Sequence, residues 1–164
     1  MESSANRIKV LHALASNPLL RAGEITNVVQ AQMVAQKAGV DASTFERAIE
    51  AFKDEGLLAD ASGAFVRITE AGIAEMVSCN ALRIPSSDQV KTALLDEIGN
   101  VVRGANEIFP VSVLPQKLAK QGITAAEVNA AFVAMVEAGW LEPQKHSAMA
   151  KITEAGFRQL GRSV

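Results

Sequence analysis

The side chains of this sequence that could do chemistry are mostly cationic or hydroxylic, and they fall in three places. Ser43, Thr44 and Arg47 lie within the stretch "STFER". Arg67 stands alone in "FVRIT", and Lys145, His146 and Lys151 share "EPQKHSAMAK". Hydroxyl and guanidinium groups suit hydrogen bonding to polar edges, and ammonium groups suit anionic oxygens. They do not make a reaction centre. His12, His146 and Cys79 are too far apart to resemble a metal-ligand set. There is no glycine-rich phosphate loop and no nucleophile beside a base. This pattern points to a non-catalytic protein without a cofactor. The single cysteine excludes a disulfide framework and is expected to act as a small buried apolar residue. His12, beside the apolar positions of its helix, is expected to be partly buried.

The elements that position these residues are written twice. "ITEAG" occurs at 68–72 and again at 152–156. A shift of 83 positions lays "GVDASTFERAIEAFKDEGLL" (39–58) on "GITAAEVNAAFVAMVEAGWL" (122–141) without a gap, with six identities. The two "ITEAG" copies are 84 apart, so one extra residue lies between Leu141 and Ile152, where a loop tolerates it. The chain reads as a tandem duplication with domains at 1–82 and 83–164.

Within the first copy, Phe45, Ala48, Ile49 and Phe52 recur at helical spacing, which predicts an amphipathic helix over 42–55 that Gly56 stops. "LLADASGAFVRIT" predicts a strand–turn–strand hairpin, and Thr69 an N-cap for a last helix over 70–79. Gly72 and Gly156, costly within a helix, predict close backbone packing. Upstream, helices are expected over 6–16 and 27–38. In the second copy, Ser86 with Gln89 and Thr124 with Glu127 have the spacing of capping boxes. They open helices through 90–102 and 126–138, with a further helix over 113–121. Val128, Phe132 and Met135 are expected in the core, and Pro143 limits the hairpin strand. The fold class expected is mainly α with small β-hairpins (α+β).

Helix, helix, tight turn, helix, hairpin, helix is the order of a winged-helix domain. "A-x-x-x-G-V" (35–40), "F-x-x-A-I-x-x-F-x-x-E-G-L-L" (45–58) and the "ITEAG" that follows resemble MarR-type bacterial winged-helix proteins, twice per chain. The resemblance implies two tandem winged-helix domains and a third helix that enters the major groove of double-stranded DNA. The function expected is therefore a DNA-binding transcriptional regulator whose first domain reads DNA and whose second adds wing contacts and protein association. On that helix Ser43, Thr44 and Arg47 are then the expected readers, with Arg67, Lys145, His146 and Lys151 as wing contacts to phosphates. The aligned face of the second copy carries Ala126, Ala130 and Val133 instead. Base edges and phosphates reward polar and cationic groups, so this apolar strip is expected to be a protein interface, to a second copy or another protein.

Charge tempers the DNA reading. Residues 1–80 hold seven Lys/Arg and ten Asp/Glu, a balance of −3, and residues 81–164 hold nine and eight, a balance of +1. Neither half is strongly basic. The alternative is a tandem winged-helix assembly subunit that binds protein and not DNA, as in chromosome-segregation complexes. Apolar residues make up 49% of the chain and charged ones 21%, which fits a packed protein. No apolar run approaches the ~20 residues that span a bilayer, and no signal peptide opens the sequence, so a cytoplasmic protein without membrane contact is expected.

Overall fold

The computed structural model describes residues 3–145 and 147–161. The chain divides into two units, 1–83 and 84–164, and each runs helix, strand, helix, helix, strand, strand, helix. In the first unit these are α1 (Ser4–Leu14), β1 (Ile25–Asn27), α2 (Val28–Lys37), α3 (Ala42–Asp54), β2 (Leu58–Asp60), β3 (Phe65–Ile68) and α4 (Glu70–Ser78). In the second they are α5 (Ser87–Val101), β4 (Ile108–Pro110), α6 (Leu114–Ala119), α7 (Ala125–Glu137), β5 (Leu141–Pro143), β6 (Met149–Ile152) and α8 (Glu154–Gln159). The architecture is α+β: helices around two small antiparallel sheets, ordered β1-β3-β2 and β4-β6-β5.

The hairpins at β2–β3 and β5–β6 follow the sequence, but each sheet has a third strand that was not expected. β1 pairs with β3, Thr26 opposite Val66, and β4 pairs with β6, Phe109 opposite Ala150. Three residues are too few to show a period of two, and β1 runs straight into α2. Three further expectations are corrected. His12 is exposed rather than partly buried, and Phe132 is only half-buried. α6 is shorter than 113–121: Val113 stands at its cap, and at the other end Gly122, at a φ of 76°, and Ile123 bond back to Ala119 and Leu118 and turn the chain away.

α3 and α7 stop in the same way. Gly56 and Gly139 take φ of 76° and 77°, a conformation that costs glycine little. Their amides bond back to Lys53 and Val136, and the next amides, of Leu57 and Trp140, reach the carbonyls of Phe52 and Met135 at 2.8 and 2.9 Å. These are the two bonds of a Schellman cap, which turns the chain directly into the hairpin.

"ITEAG" then closes each unit. Ile68 and Ile152 are fully buried. The Thr69 hydroxyl accepts the Gly72 amide at 3.0 Å and donates towards the carbonyls of Gly56 and Leu57. Thr153 repeats this with Gly156, Gly139 and Trp140. A Cβ on Gly72 would overlap the Leu57 carbonyl oxygen, and one on Gly156 the Trp140 carbonyl oxygen. One pentapeptide thus supplies a core residue, a cap that ties the last helix to the end of the third, and the bare backbone that lets them touch.

Each unit has its own core. Leu11, Leu14, Phe45, Phe52 and Met76 are fully buried in the first, and Leu94, Ile98, Phe109, Leu118 and Met135 in the second. Bulk is redistributed between the copies. Phe45 and Phe52 align with the smaller Val128 and Met135, and Phe109 of β4 aligns with Thr26. Cys79 and Trp140 are half-buried against the first and second cores respectively.

Candidate interaction surfaces

α3 opens at Asp41, whose Oδ1 accepts the Thr44 amide at 2.8 Å. The Thr44 hydroxyl donates to Asp41 Oδ2 at 2.8 Å, so both carboxylate oxygens are used. These bonds, the Thr44 amide first and its hydroxyl next, hold the Asp41 carboxyl below the ordinary carboxylate range. Arg47 lies one turn on, its Nη2 donating to Thr44 Oγ1 at 3.3 Å and its Nε to the Ser43 carbonyl at 3.4 Å.

Ser43, Thr44 and Arg47 are thus brought together, but they are not equivalent. Ser43 and Arg47 are exposed, whereas Thr44 is buried with its hydroxyl committed to the cap. Thr44 is not a surface reader. The signal was in the sequence, as Asp41 three residues before Thr44.

The remaining cationic candidates are scattered. Arg67 lies on the central strand β3, exposed, with its guanidinium donating to the Gly23 carbonyl. It borders a recess with Asn17 and Glu24, not the surface beside α3. Lys145 is exposed in the second unit's hairpin. Lys151 is spent on Glu142, its cross-strand neighbour, at 3.0 Å. His146 lies outside the described residues.

What flanks α3 instead is a groove between that helix, the start of α2 and the β2–β3 hairpin. Its apolar lining includes Val29 and Phe65, 53% and 38% exposed, over Phe45 and Ile49 of the core. Phe65 faces outward because β3 alternates exposed and buried residues. Glu46, Glu50 and Asp60 rim the groove, all exposed. Lys53 is the one cation of this lining, and its ammonium is held by Asp60 at 2.9 Å and Glu50 at 3.0 Å. Those bonds, Asp60 first, raise its pKa above the ordinary lysine value and tie the helix to the hairpin. Glu46 has no ion-pair partner among the described residues.

On α7, the strip Ala126, Ala130 and Val133 is exposed, Val133 at 46%. Ala130 also borders an apolar groove with Ile84, Pro85, Val90 and Ala134. The helix–hairpin groove of the first unit was missed because it is formed by segments far apart in sequence. A helical wheel shows Glu46 and Glu50 but not the Val29 and Phe65 beside them.

Among the described residues, no group of three or more His, Cys, Asp or Glu side chains is placed to hold a metal ion. No helix among them is long and apolar enough to cross a membrane. No protein-family model matches the chain, and neither does any curated protein.

Proposed function

We propose that this chain is a non-catalytic binding protein of two tandem winged-helix modules, which acts by docking other proteins on the surfaces of its third helices. The observation that carries this reading is the groove beside α3. Where a winged-helix reader would meet a duplex, this surface offers Glu46, Glu50 and Asp60 around an apolar floor. Phosphates are repelled by carboxylates, and base edges gain no hydrogen bonds from Val29 or Phe65. The exposed Ala126, Ala130 and Val133 of α7 favour the same conclusion for the second unit, with a second copy or another protein as partner.

A second reading, a DNA-binding transcriptional regulator, is favoured by one observation. Ser43 and Arg47 are exposed together in the first half of α3, close to its positive dipole end. In that reading Lys145, exposed in the second unit's hairpin, adds a phosphate contact, whereas Lys151 is held by Glu142 and Arg67 by the Gly23 carbonyl.

Fluorescence anisotropy with random duplex DNA at low salt separates the two. Protein docking predicts no saturable binding and no difference between the parent and Arg47→Ala. Saturable, salt-sensitive binding that Arg47→Ala weakens by about 1–3 kcal/mol would replace it with the DNA reading.

A further inference from the structure

We infer that the groove between α3 and the β2–β3 hairpin takes a basic amphipathic segment of a partner protein, apolar residues inward and Lys or Arg at its edges. The inference rests on the protein-docking reading and names the chemistry of the partner. Two independent features select this occupant. The first is apolar: Val29 and Phe65 stand open to water in a groove whose lining also includes the core residues Phe45 and Ile49. Covering them removes apolar surface from water, which is favourable.

The second is charge. Three acids, Glu46, Glu50 and Asp60, face one lysine, Lys53, a rim balance of −2. Glu50 and Asp60 share that lysine, whereas Glu46 is unpaired among the described residues. An acidic rim around an apolar floor discriminates by sign: it attracts cationic flanks and repels acidic ones, and it sets which partner is accepted more than how tightly. A duplex has the wrong sign and an uncharged apolar segment leaves the rim unused.

The test uses the 164-residue chain, isotope-labelled for NMR, and three probes: a synthetic helical peptide with leucines on one face and lysines on its flanks, the same peptide with glutamates for lysines, and random duplex DNA. The lysine peptide is expected to shift the amides of Gln32, Glu46, Ala61 and Gly63, and to bind at least about tenfold more tightly than its glutamate twin. Glu46→Lys should narrow or invert that preference, and Phe65→Ser should weaken both peptides. Both positions are exposed, and thermal melts verify that each variant stays folded. Equal affinity for the two peptides, or shifts that map elsewhere, overturns the basic-segment inference and leaves protein docking standing. Shifts of the Ser43–Arg47 amides by DNA, with neither peptide binding, overturn both.

Discussion

Arg7 of α1 grips Glu55, at the end of α3, through two parallel hydrogen bonds: Nη1 to Oε1 at 2.9 Å and Nη2 to Oε2 at 2.6 Å. The same guanidinium lies 4.8 Å from the centre of the Phe52 ring and 3.4 Å from Glu75 of α4. One side chain therefore joins three helices of the first unit. The second unit has no counterpart, since Val90 and Ala138 occupy the aligned positions and Val90 is buried. Arg7→Ala is expected to destabilise the first unit by about 1 kcal/mol, the upper end for a partly exposed pair with a ring contact. Arg7→Lys should recover only part of this, because an ammonium cannot reproduce the fork. Urea denaturation of the three proteins measures it; equal midpoints would show that the pair adds nothing to stability.

Acid should act unequally on the two units. The Arg7 hydrogen bond holds the Glu55 carboxyl below its ordinary range, and the Thr44 amide and hydroxyl do the same for Asp41. A carboxylate with a depressed folded pKa contributes stability above its unfolded value, near pH 4, and loses it as the pH falls through the folded value. The aligned residues of the second unit, Ala138 and Thr124, do not titrate. From about pH 5 down towards pH 2, first-unit amides should lose hydrogen-exchange protection before second-unit amides. Parallel loss in both units would remove Glu55 and Asp41 as the cause.

The sequence disclosed what is local and hid what is not. Both capping boxes, Ser86 with Gln89 and Thr124 with Glu127, are closed in the structure, since four consecutive residues contain the whole interaction. The helices were legible because Phe45, Ala48, Ile49 and Phe52 repeat at one period over several turns. β1 and β4 were not, because a three-residue strand is defined by its partner and not by its own pattern. Arg7 and Glu55 are 48 residues apart, and nothing local to either names the other. At the candidate site, exposure of Ser43 and Arg47 followed from the helical wheel. Burial of Thr44 did not, because the wheel omits the pull of Asp41, and the acidic groove needed the hairpin folded back beside α3.

Gly72 and Gly156 should tolerate not even one methyl group. In each case the added carbon meets a backbone carbonyl, of Leu57 or Trp140, that a Schellman cap holds in place. Gly72→Ala and Gly156→Ala are each expected to cost about 1–3 kcal/mol, against the small gain in helix propensity that alanine normally brings. Gly104→Ala is the control: there the nearest atom to the new carbon is a Glu107 side-chain oxygen at 3.5 Å, an ordinary contact. Its effect should stay within about 0.5 kcal/mol. Thermal melts of the three variants decide the matter, and a Gly72→Ala melt like that of the control would mean the backbones can separate freely.

Val133 tests the strip on α7. An exposed β-branched residue gains a helix nothing, so Val133 at 46% exposure suggests a surface that works by being covered. Ala130 and Ala126, one and two turns before it, leave room for another helix to approach closely. Because Val133 is already solvent-facing, Val133→Glu should leave the fold of the individual chain intact. In a contact between two copies related by a twofold axis the substitution counts twice, placing two carboxylates in an apolar patch. Self-association should therefore weaken by about tenfold or more, read from sedimentation of parent and variant over a concentration series. A parent that stays monomeric at every concentration excludes self-association through this face and leaves a foreign protein as its only partner. A variant that associates as well as the parent shows that the strip is not the contact.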